Sequence, residues 1–191
     1  LLEVTGVGYE PKGEFKLGED ATKPEGDAEL LLRIGTLCNN AQLRIRESDS
    51  SWEVFGDPTE GALIVAAAKA DLGKAELEEI YPRIREIPFT SERKRMTTLH
   101  KTPQNEVAAY MKGAPETVLE RCTHILESGK EVKLTQAKRQ KVLQANEQLA
   151  GNALRVLAMA FKRLPYSPEK YEDERIEEDL VFVGLQGMID P

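Results

Sequence analysis

The segment Leu154–Phe161 constrains the possible folds more than any other part of the sequence. Apolar residues occupy both of its alternating sets of positions, and Arg155 is its only charged residue. Because successive side chains of a strand point to opposite faces of a sheet, such a strand needs apolar cover on both sides. We therefore predict a strand at the centre of a sheet, with other elements packed on each face.

Further strands and helices are interleaved around this segment. Strands are predicted at Glu3–Tyr9, Glu14–Phe15, Arg44–Arg46, Trp52–Phe55, Met96–Leu99, Val107–Met111 and Leu180–Leu185. Helices are predicted at Ala28–Asn39 with Asp27 as its cap, from Pro58 towards Gly73, over all or part of Lys74–Arg85, from the turn at Gly113 through Cys122, and at Thr135–Gly151. A charged loop separates Phe161 from Leu180. We expect an α+β fold, a mainly antiparallel twisted sheet flanked by helices.

Composition limits the classes of function. The 191 residues, 40% hydrophobic and 31% charged, predict one soluble globular domain over 1–191. Acidic residues outnumber basic ones by 33 to 26, which argues against a general nucleic-acid binder but permits a small anionic ligand at a local basic cluster. The longest apolar run, Ala62–Ala68, is far shorter than the roughly 20 residues of a membrane-spanning helix. Cys38 and Cys122 are too few for a disulfide framework, so free thiols are expected.

The sequence lacks the common catalytic and metal-binding motifs. It contains no G-x-x-x-x-G-K-[ST] loop, no C-x-x-C, no H-E-x-x-H and no G-x-S-x-G. Cys122 and His124 alone are too little for a zinc site. We therefore predict no catalytic residue and no metal site in this chain, and we do not expect a self-contained hydrolase.

Three local patterns have a direct physical interpretation. Asp57 is suited to cap a helix with Pro58 at its first position, and Glu60 falls where it can complete a capping box. Gly113 permits a close approach of backbone before the turn into the next helix, because it has no side chain. Phe89 follows Pro88 at a strand end, where it is either an ordinary core residue or a surface for a planar ligand.

Four segments, in this order, resemble the nucleotide-binding (N) domain of P-type cation-transporting ATPases, most of all those of the calcium-pump branch. They are Asp57-Pro-Thr-Glu-Gly-Ala-Leu63, Pro88-Phe-Thr-Ser-Glu-Arg-Lys-Arg-Met96, Met111-Lys-Gly-Ala-Pro-Glu116 and Asn152-Ala-Leu-Arg155. The tail Val183–Pro191 resembles the strand and hinge that lead back into the phosphorylation domain, with 188–191 as the start of the hinge. The chain also stops directly after this strand, so we expect it to be a piece of a larger protein.

The resemblance implies an ATP site and a role for each residue. Phe89 would stack on adenine, and Glu60 would accept a hydrogen bond from the adenine amino group or, on its own sequence context, serve only as a cap. The other implied residues are Thr59 beside Glu60, Lys94 near the nucleotide, Lys112 with Gly113 and Ala114 lining the cavity, Arg155 facing the phosphates, and Met96 as pocket wall or core. Arg155, as a lone charge in an apolar strand, would otherwise need a carboxylate partner such as Glu60.

One position departs from the family pattern. Calcium pumps commonly carry an arginine two residues after the phenylalanine, where this chain has Ser91. Either a phosphate contact is lost or Arg93 supplies it. The first outcome would fit a second hypothesis, a regulatory or interaction module that kept the fold without binding nucleotide.

The resemblance also implies what lies outside the chain. The phosphorylated aspartate of the family sits in Asp-Lys-Thr-Gly-Thr, which does not occur here, and Asp190 would belong to the hinge. The Mg²⁺ ligands would belong to other domains. Expected partners are ATP and the phosphorylation and actuator domains of the same parent chain, at the cytoplasmic face of a membrane. No nucleic acid and no direct membrane contact are expected, and the fragment is expected to be monomeric.

Overall fold

The computed structural model describes residues 1–164 and 172–189. Its strands are β1 (Glu3–Val4), β2 (Phe15–Leu17), β3 (Asp20–Thr22), β4 (Gln42–Ile45), β5 (Trp52–Phe55), β6 (Arg83–Ile87), β7 (Arg95–Lys101), β8 (Val107–Gly113), β9 (Cys122–Glu127), β10 (Lys130–Lys133), β11 (Leu154–Leu164) and β12 (Leu180–Ile189). Its helices are α1 (Asp27–Leu37), α2 (Pro58–Ala68), α3 (Lys74–Ile80), α4 (Pro115–Glu120), α5 (Gln136–Gly151) and α6 (Asp173–Ile176).

Seven of these strands form the main sheet, in the order β10-β9-β12-β11-β8-β7-β6. All neighbours in it are antiparallel except β12 and β9, which run parallel. Two small antiparallel sheets, β1-β2-β3 and β4-β5, lie outside it. The predicted α+β fold with a mainly antiparallel sheet is confirmed.

Helices cover both faces of the sheet, as the apolar pattern of β11 predicted. β11 is the fourth of the seven strands, and Ala158, Met159 and Ala160 in it are fully buried. Ile34 and Leu37 of α1 and Leu63 of α2 share one core cluster with Met159 and its neighbours on that face. On the opposite face, Ala158 and Ala160 pack in a cluster with residues of α4 and α5. The apolar strand is therefore covered on both sides.

Several predicted boundaries are wrong. Asp27 is the first residue of α1 rather than its cap, and its Oδ1 accepts a hydrogen bond from the Gly129 N–H at 2.9 Å. Helix α2 ends at Ala68, and Gly73 instead precedes α3 at that helix's N-cap position. Of the two alternatives for Lys74–Arg85, the partial helix is the one found: α3 ends at Ile80, because Pro82 follows and β6 begins at Arg83.

A second group of differences concerns elements that the sequence did not predict. The hairpin β9–β10 and the short strand β3 were not predicted, and β1 is much shorter than Glu3–Tyr9. Part of the charged loop expected after Phe161, residues 165–171, lies outside the described residues, as do residues 190 and 191 of the expected hinge. Within the described part of the chain, no helix combines the length and the apolar character needed to cross a membrane.

Candidate functional site

The first residues of α2 are fixed by a side-chain cap. Asp57 Oδ1 accepts hydrogen bonds from the backbone N–H groups of Thr59 at 2.8 Å and Glu60 at 3.2 Å. Pro58 occupies the first turn, where its missing N–H costs nothing. The predicted cap is therefore confirmed, and it fixes the backbone from which the side chains of Thr59 and Glu60 project.

Glu60 does not complete a capping box. Its Oε1 accepts from the Lys112 Nζ at 2.5 Å, and its Oε2 accepts from the Asn40 backbone N–H at 2.9 Å. The two side chains of the ion pair are only 7% (Lys112) and 16% (Glu60) exposed. The carboxylate thus connects α2 to the end of β8, 52 residues away in sequence.

Lys112 lies in a row of buried side chains on the face of the sheet covered by α1 and α2. Its cross-strand neighbours are Met96 on β7 and Met159 on β11, both in the core. Met96 is therefore core packing, and its carbonyl accepts from the Cys38 thiol at 3.4 Å. Burial raises the pKa of the Cys38 thiol, while the Lys112 ammonium acts in the opposite direction. Within the described residues, Glu60 is the carboxylate that pairs with the Lys112 Nζ among these apolar side chains.

Arg155 is not buried, although it lies in a strand whose other residues are apolar. It is exposed near the start of β11, between the half-buried Leu154 and Val156, and its Nη1 donates to the Thr59 hydroxyl at 2.6 Å. Glu60, the carboxylate suggested as its partner, pairs with Lys112 instead. Thr59 and Glu60 therefore engage two different strands, β11 and β8, from one helix end.

Gly113 and Ala114 connect β8 to the turn between β6 and β7. The Ala114 N–H donates to the Lys94 carbonyl at 3.0 Å. A Cβ at Gly113 would lie 2.5 Å from that carbonyl oxygen and 2.8 Å from the Arg95 Cβ. The predicted close backbone approach is confirmed, and its partner is the backbone of the neighbouring strand.

The turn 88–94 carries the remaining predicted residues. Phe89 is 57% exposed, so it is not a core residue. Lys94 is exposed, has a positive φ of 51° and donates its N–H to the Thr90 carbonyl at 2.8 Å. Arg93 folds inward, donating to the Pro88 carbonyl at 2.6 Å and to the carboxylate of Glu177. Phe89 and Lys94 thus lie on a short turn closed by hydrogen bonds.

These contacts bring segments separated by up to 96 residues to one end of the sheet. The group comprises the start of α2, the turn 88–94, the end of β8 and the start of β11. Two cavities of about 330 and 370 Å³ lie elsewhere, and none of the predicted residues lines either of them. Over 1–164 and 172–189, no three His, Cys, Asp or Glu residues are arranged to hold a metal ion. The group offers an exposed ring, a carboxylate and cations, which suits binding of a planar anionic molecule.

Sequence reasoning missed two residues that support this group. Asn40 connects Glu60 to Arg83, whose Nη1 donates to the Asn40 Oδ1 at 2.6 Å. Glu177 holds Arg93 and Arg95 from the segment before β12. No local pattern identifies either residue, because their partners lie 20 or more residues away.

Comparison with known proteins identifies the family. The family model described as "P-type ATPase, cytoplasmic domain N" matches residues 27–191. The chain belongs to the P-type ATPase family. The match covers all four segments on which the resemblance was based, and the N domain is the part of the family that the chain represents.

Individual relatives agree with this assignment. A cation-transporting ATPase of Synechocystis sp. is 41% identical over 197 residues, covering 99% of this chain and 21% of that protein. Calcium-transporting ATPase 1 of Bacillus cereus is 44% identical over 162 residues, covering 85% of this chain and 17% of that protein. A calcium-transporting ATPase of Bacillus subtilis is 35% identical over 190 residues, covering 98% and 21%. The chain therefore spans about a fifth of these relatives.

Proposed function

We propose that this N domain binds ATP through its adenine moiety and presents the γ-phosphate to the phosphorylation domain of a P-type cation pump, with Ca²⁺ as the transported ion. Two of the relatives described above are named calcium-transporting ATPases, which supports the choice of ion. The Asp-Lys-Thr-Gly-Thr sequence that carries the family's phosphorylated aspartate does not occur in these 191 residues, so we expect the isolated domain to bind ATP without hydrolysing it.

The observation that carries the proposal is the convergence of the four segments. Lys112 pairs with Glu60, Arg155 with Thr59, and Ala114 with the Lys94 carbonyl, so all four meet at one end of the sheet. The Ala114–Lys94 contact continues the pairing of β7 with β8, whereas the other two contacts join residues 52 and 96 positions apart in the sequence. A shared binding site gives a reason for the residue types as well as for their positions.

The chemistry of each side chain fits adenine. The exposed ring of Phe89 offers a flat apolar face on which a purine can stack, an interaction worth about 1–3 kcal/mol per base. A carboxylate has about four acceptor positions, and Glu60 uses one for Lys112 and one for Asn40, so it can accept a further N–H. Adenine presents an amino donor where guanine presents a carbonyl oxygen. Glu60 would therefore favour adenine over guanine.

The phosphates would be bound less completely than the base. Arg155 lies exposed near the start of β11, and Lys94 is exposed on the turn. Arg93 already contacts the Pro88 carbonyl and Glu177, so Ser91 leaves this part of the site without the family's arginine. We therefore expect weak binding by the isolated domain, with a Kd of hundreds of micromolar to millimolar, about −4 to −5 kcal/mol.

The remaining parts of the mechanism belong to the parent protein. Mg²⁺ would accompany ATP, with protein ligands in the phosphorylation domain. That domain and the actuator domain would be the partners, at the cytoplasmic face of the membrane. Closure of the hinge would carry the bound γ-phosphate to the aspartate.

An NMR titration of the ¹⁵N-labelled chain with ATP, ADP, AMP and GTP, without Mg²⁺, tests the proposal. We expect shifts around Phe89, Lys112 and Glu60 that are similar for ATP and AMP and weak for GTP. The absence of shifts at roughly 10 mM nucleotide, about ten times the weakest Kd expected, would overturn it. The chain would then be a regulatory or interaction module, the hypothesis that Ser91 favours.

A further inference from the structure

We propose that Glu177 is a positioning residue for the adenine-stacking turn, holding the backbone on either side of Phe89 without touching the nucleotide. The inference rests on the proposed function for the identity of the ligand, and on the contacts of the turn for the mechanism. Glu177 lies after α6 and before β12, outside all four segments that resemble the family motifs.

The carboxylate of Glu177 is the centre of a buried polar cluster. Its side chain is 2% exposed, and it accepts from the Arg95 Nε at 2.8 Å, the Thr97 Oγ1 at 2.7 Å and the Arg93 guanidinium. Burial alone would raise the pKa of Glu177, but the hydrogen bonds from these three side chains outweigh it, so the pKa is lowered. Glu177 is therefore a carboxylate ion in a fixed position.

Arg93 transmits that fixed position to the turn. Its guanidinium bridges Glu177 and the carbonyl of Pro88, the residue directly before Phe89. On the other side, the Arg93 carbonyl accepts from the Arg95 Nη1 at 3.2 Å, and Arg95 also contacts Glu177. The carboxylate thus holds both the start and the end of the turn.

The position of Phe89 depends on the turn that carries it. It is 57% exposed, so its ring position depends on the backbone that carries it. Without Glu177, two guanidinium groups would face each other with no shared counter-charge, and Arg95 is only 10% exposed. Arg93 would then turn towards solvent and release Pro88.

The segment that bears Glu177 is itself well anchored. Ile176 is fully buried in a cluster with Ile87, the last residue of β6 before the turn. The Leu180 N–H donates to the Arg121 carbonyl at 3.0 Å, where β12 begins. Glu177 is thus held from both sides, as a positioning role requires.

Glu177→Gln tests the inference, because it keeps the shape of the side chain and removes its charge. Asp173→Asn is the matched control, since it breaks an ion pair between α6 and Arg85 of β6 away from the turn. Dissociation constants for AMP and ATP are measured by NMR titration of the 191-residue chain. We expect Glu177→Gln to weaken both nucleotides equally, by roughly tenfold, and Asp173→Asn to leave them within about twofold.

A second variant covers the case in which Glu177→Gln does not fold. Arg93→Gln changes a side chain that is 25% exposed and removes the same bridge to Pro88. Positioning predicts an equal loss for AMP and ATP. A loss confined to ATP would instead make Arg93 a phosphate ligand and overturn the inference.

Amide hydrogen exchange separates this inference from the proposed function. The Lys94 N–H, which donates to the Thr90 carbonyl within the turn, should exchange roughly tenfold faster in Glu177→Gln and unchanged in Asp173→Asn. Unchanged Lys94 exchange, or unchanged nucleotide binding in a folded Glu177→Gln chain, would overturn the positioning role. A wild-type chain that binds no nucleotide would overturn the proposed function, and Lys94 exchange would still decide whether Glu177 holds the turn.

Discussion

Among single residues of the candidate site, we expect Lys112 and Glu60 to have the largest effect on stability, because they form an ion pair. Both side chains are largely buried, so removing one leaves an uncompensated charge in the core. We expect Lys112→Met to lower the free energy of unfolding by about 3 kcal/mol, measured by urea denaturation. The double variant Lys112→Met, Glu60→Gln should recover part of that loss.

The control for this prediction is an exposed pair. Arg163 and Glu131 have side chains that are 62% and 36% exposed, so Arg163→Gln should change the free energy of unfolding by less than about 1 kcal/mol. If Lys112→Met had an equally small effect, Glu60 would not depend on Lys112 as its counter-charge.

His100 makes stability depend on pH. It is fully buried, its Nδ1–H donates to the Tyr81 carbonyl at 2.8 Å, and burial lowers its pKa from 6.5 to about 4. Between those values the unfolded chain binds a proton that the folded chain does not, so stability falls as the pH falls from 6.5 to 4. The loss should approach about 3 kcal/mol at pH 4 and vanish above pH 6.5.

His100→Gln isolates this contribution. The midpoint of urea unfolding, measured from pH 8 to pH 4.5, should fall with pH in the wild type and much less in the variant. Glu177, whose pKa is lowered from 4.5, contributes stability that is lost only below about pH 4.5, so it does not act in this window. Equal slopes for the two chains would show that folding does not lower the pKa of His100.

Contacts between residues close in sequence were predictable, whereas contacts between distant residues were not. The Asp57 cap was predictable because donor and acceptor lie two or three residues apart. The sequence allowed Glu60 to be either a helix cap or an acceptor for a ligand. Its partner Lys112 could not be found from the sequence spacing, because tertiary packing brings the two together. Arg155 was expected to be buried with its strand, but it is exposed and donates to the Thr59 hydroxyl at the start of α2.

At the scale of elements, the junction of β7 and β8 depends on the absence of a side chain at Gly113. A Cβ there would lie 2.5 Å from the Lys94 carbonyl oxygen and 2.9 Å from the Arg95 Cα, and backbone cannot move aside cheaply. We expect Gly113→Ala to lower the free energy of unfolding by about 1–3 kcal/mol, measured by thermal or urea unfolding.

Gly151, unlike Gly113, has room for a side chain. It is the last residue of α5, and nothing lies within 4 Å of the position its Cβ would take. Gly151→Ala should therefore stabilise the chain by up to about 1 kcal/mol, through helix propensity and the unfolded state. A destabilised Gly151→Ala, or a neutral Gly113→Ala, would contradict the packing described for these two positions.

Strands with polar sequences were the elements hardest to predict. β11 was predicted correctly because few other structures suit a short segment with apolar residues on both faces. β6 is an edge strand, and its Arg-Ile-Arg-Glu pattern also fits an exposed helix. The β9–β10 hairpin is largely exposed, so its sequence lacks an alternating pattern. Its one local signal was Ser128–Gly129, where both residues have positive φ, as a two-residue hairpin turn requires.

At the scale of the whole molecule, one end of the main sheet carries the candidate site and the rest of the sheet supports it. The four segments join at the end of β8 and the start of β11, which are neighbouring strands near the sheet's centre. Strands that are paired on both sides therefore lie next to the residues of the candidate site. The small sheets β1-β2-β3 and β4-β5 are not hydrogen-bonded into it.

This organisation predicts a gradient of local stability. Met159 and Ala160 lie on a strand paired on both sides, whereas Leu43 and Val54 belong to an isolated two-stranded sheet. We expect the amides of β11 to exchange only on global unfolding, and those of β4 and β5 at least about 100-fold faster, as measured by native-state hydrogen exchange.

Gly113→Ala tests this difference between the two sheets. It should speed exchange in β11 by the full loss of stability and leave β4 and β5 unchanged, because amides that open locally do not sense global stability. Equal acceleration in both sheets would show instead that the chain opens as one cooperative unit, with β4-β5 as firmly held as the central strands.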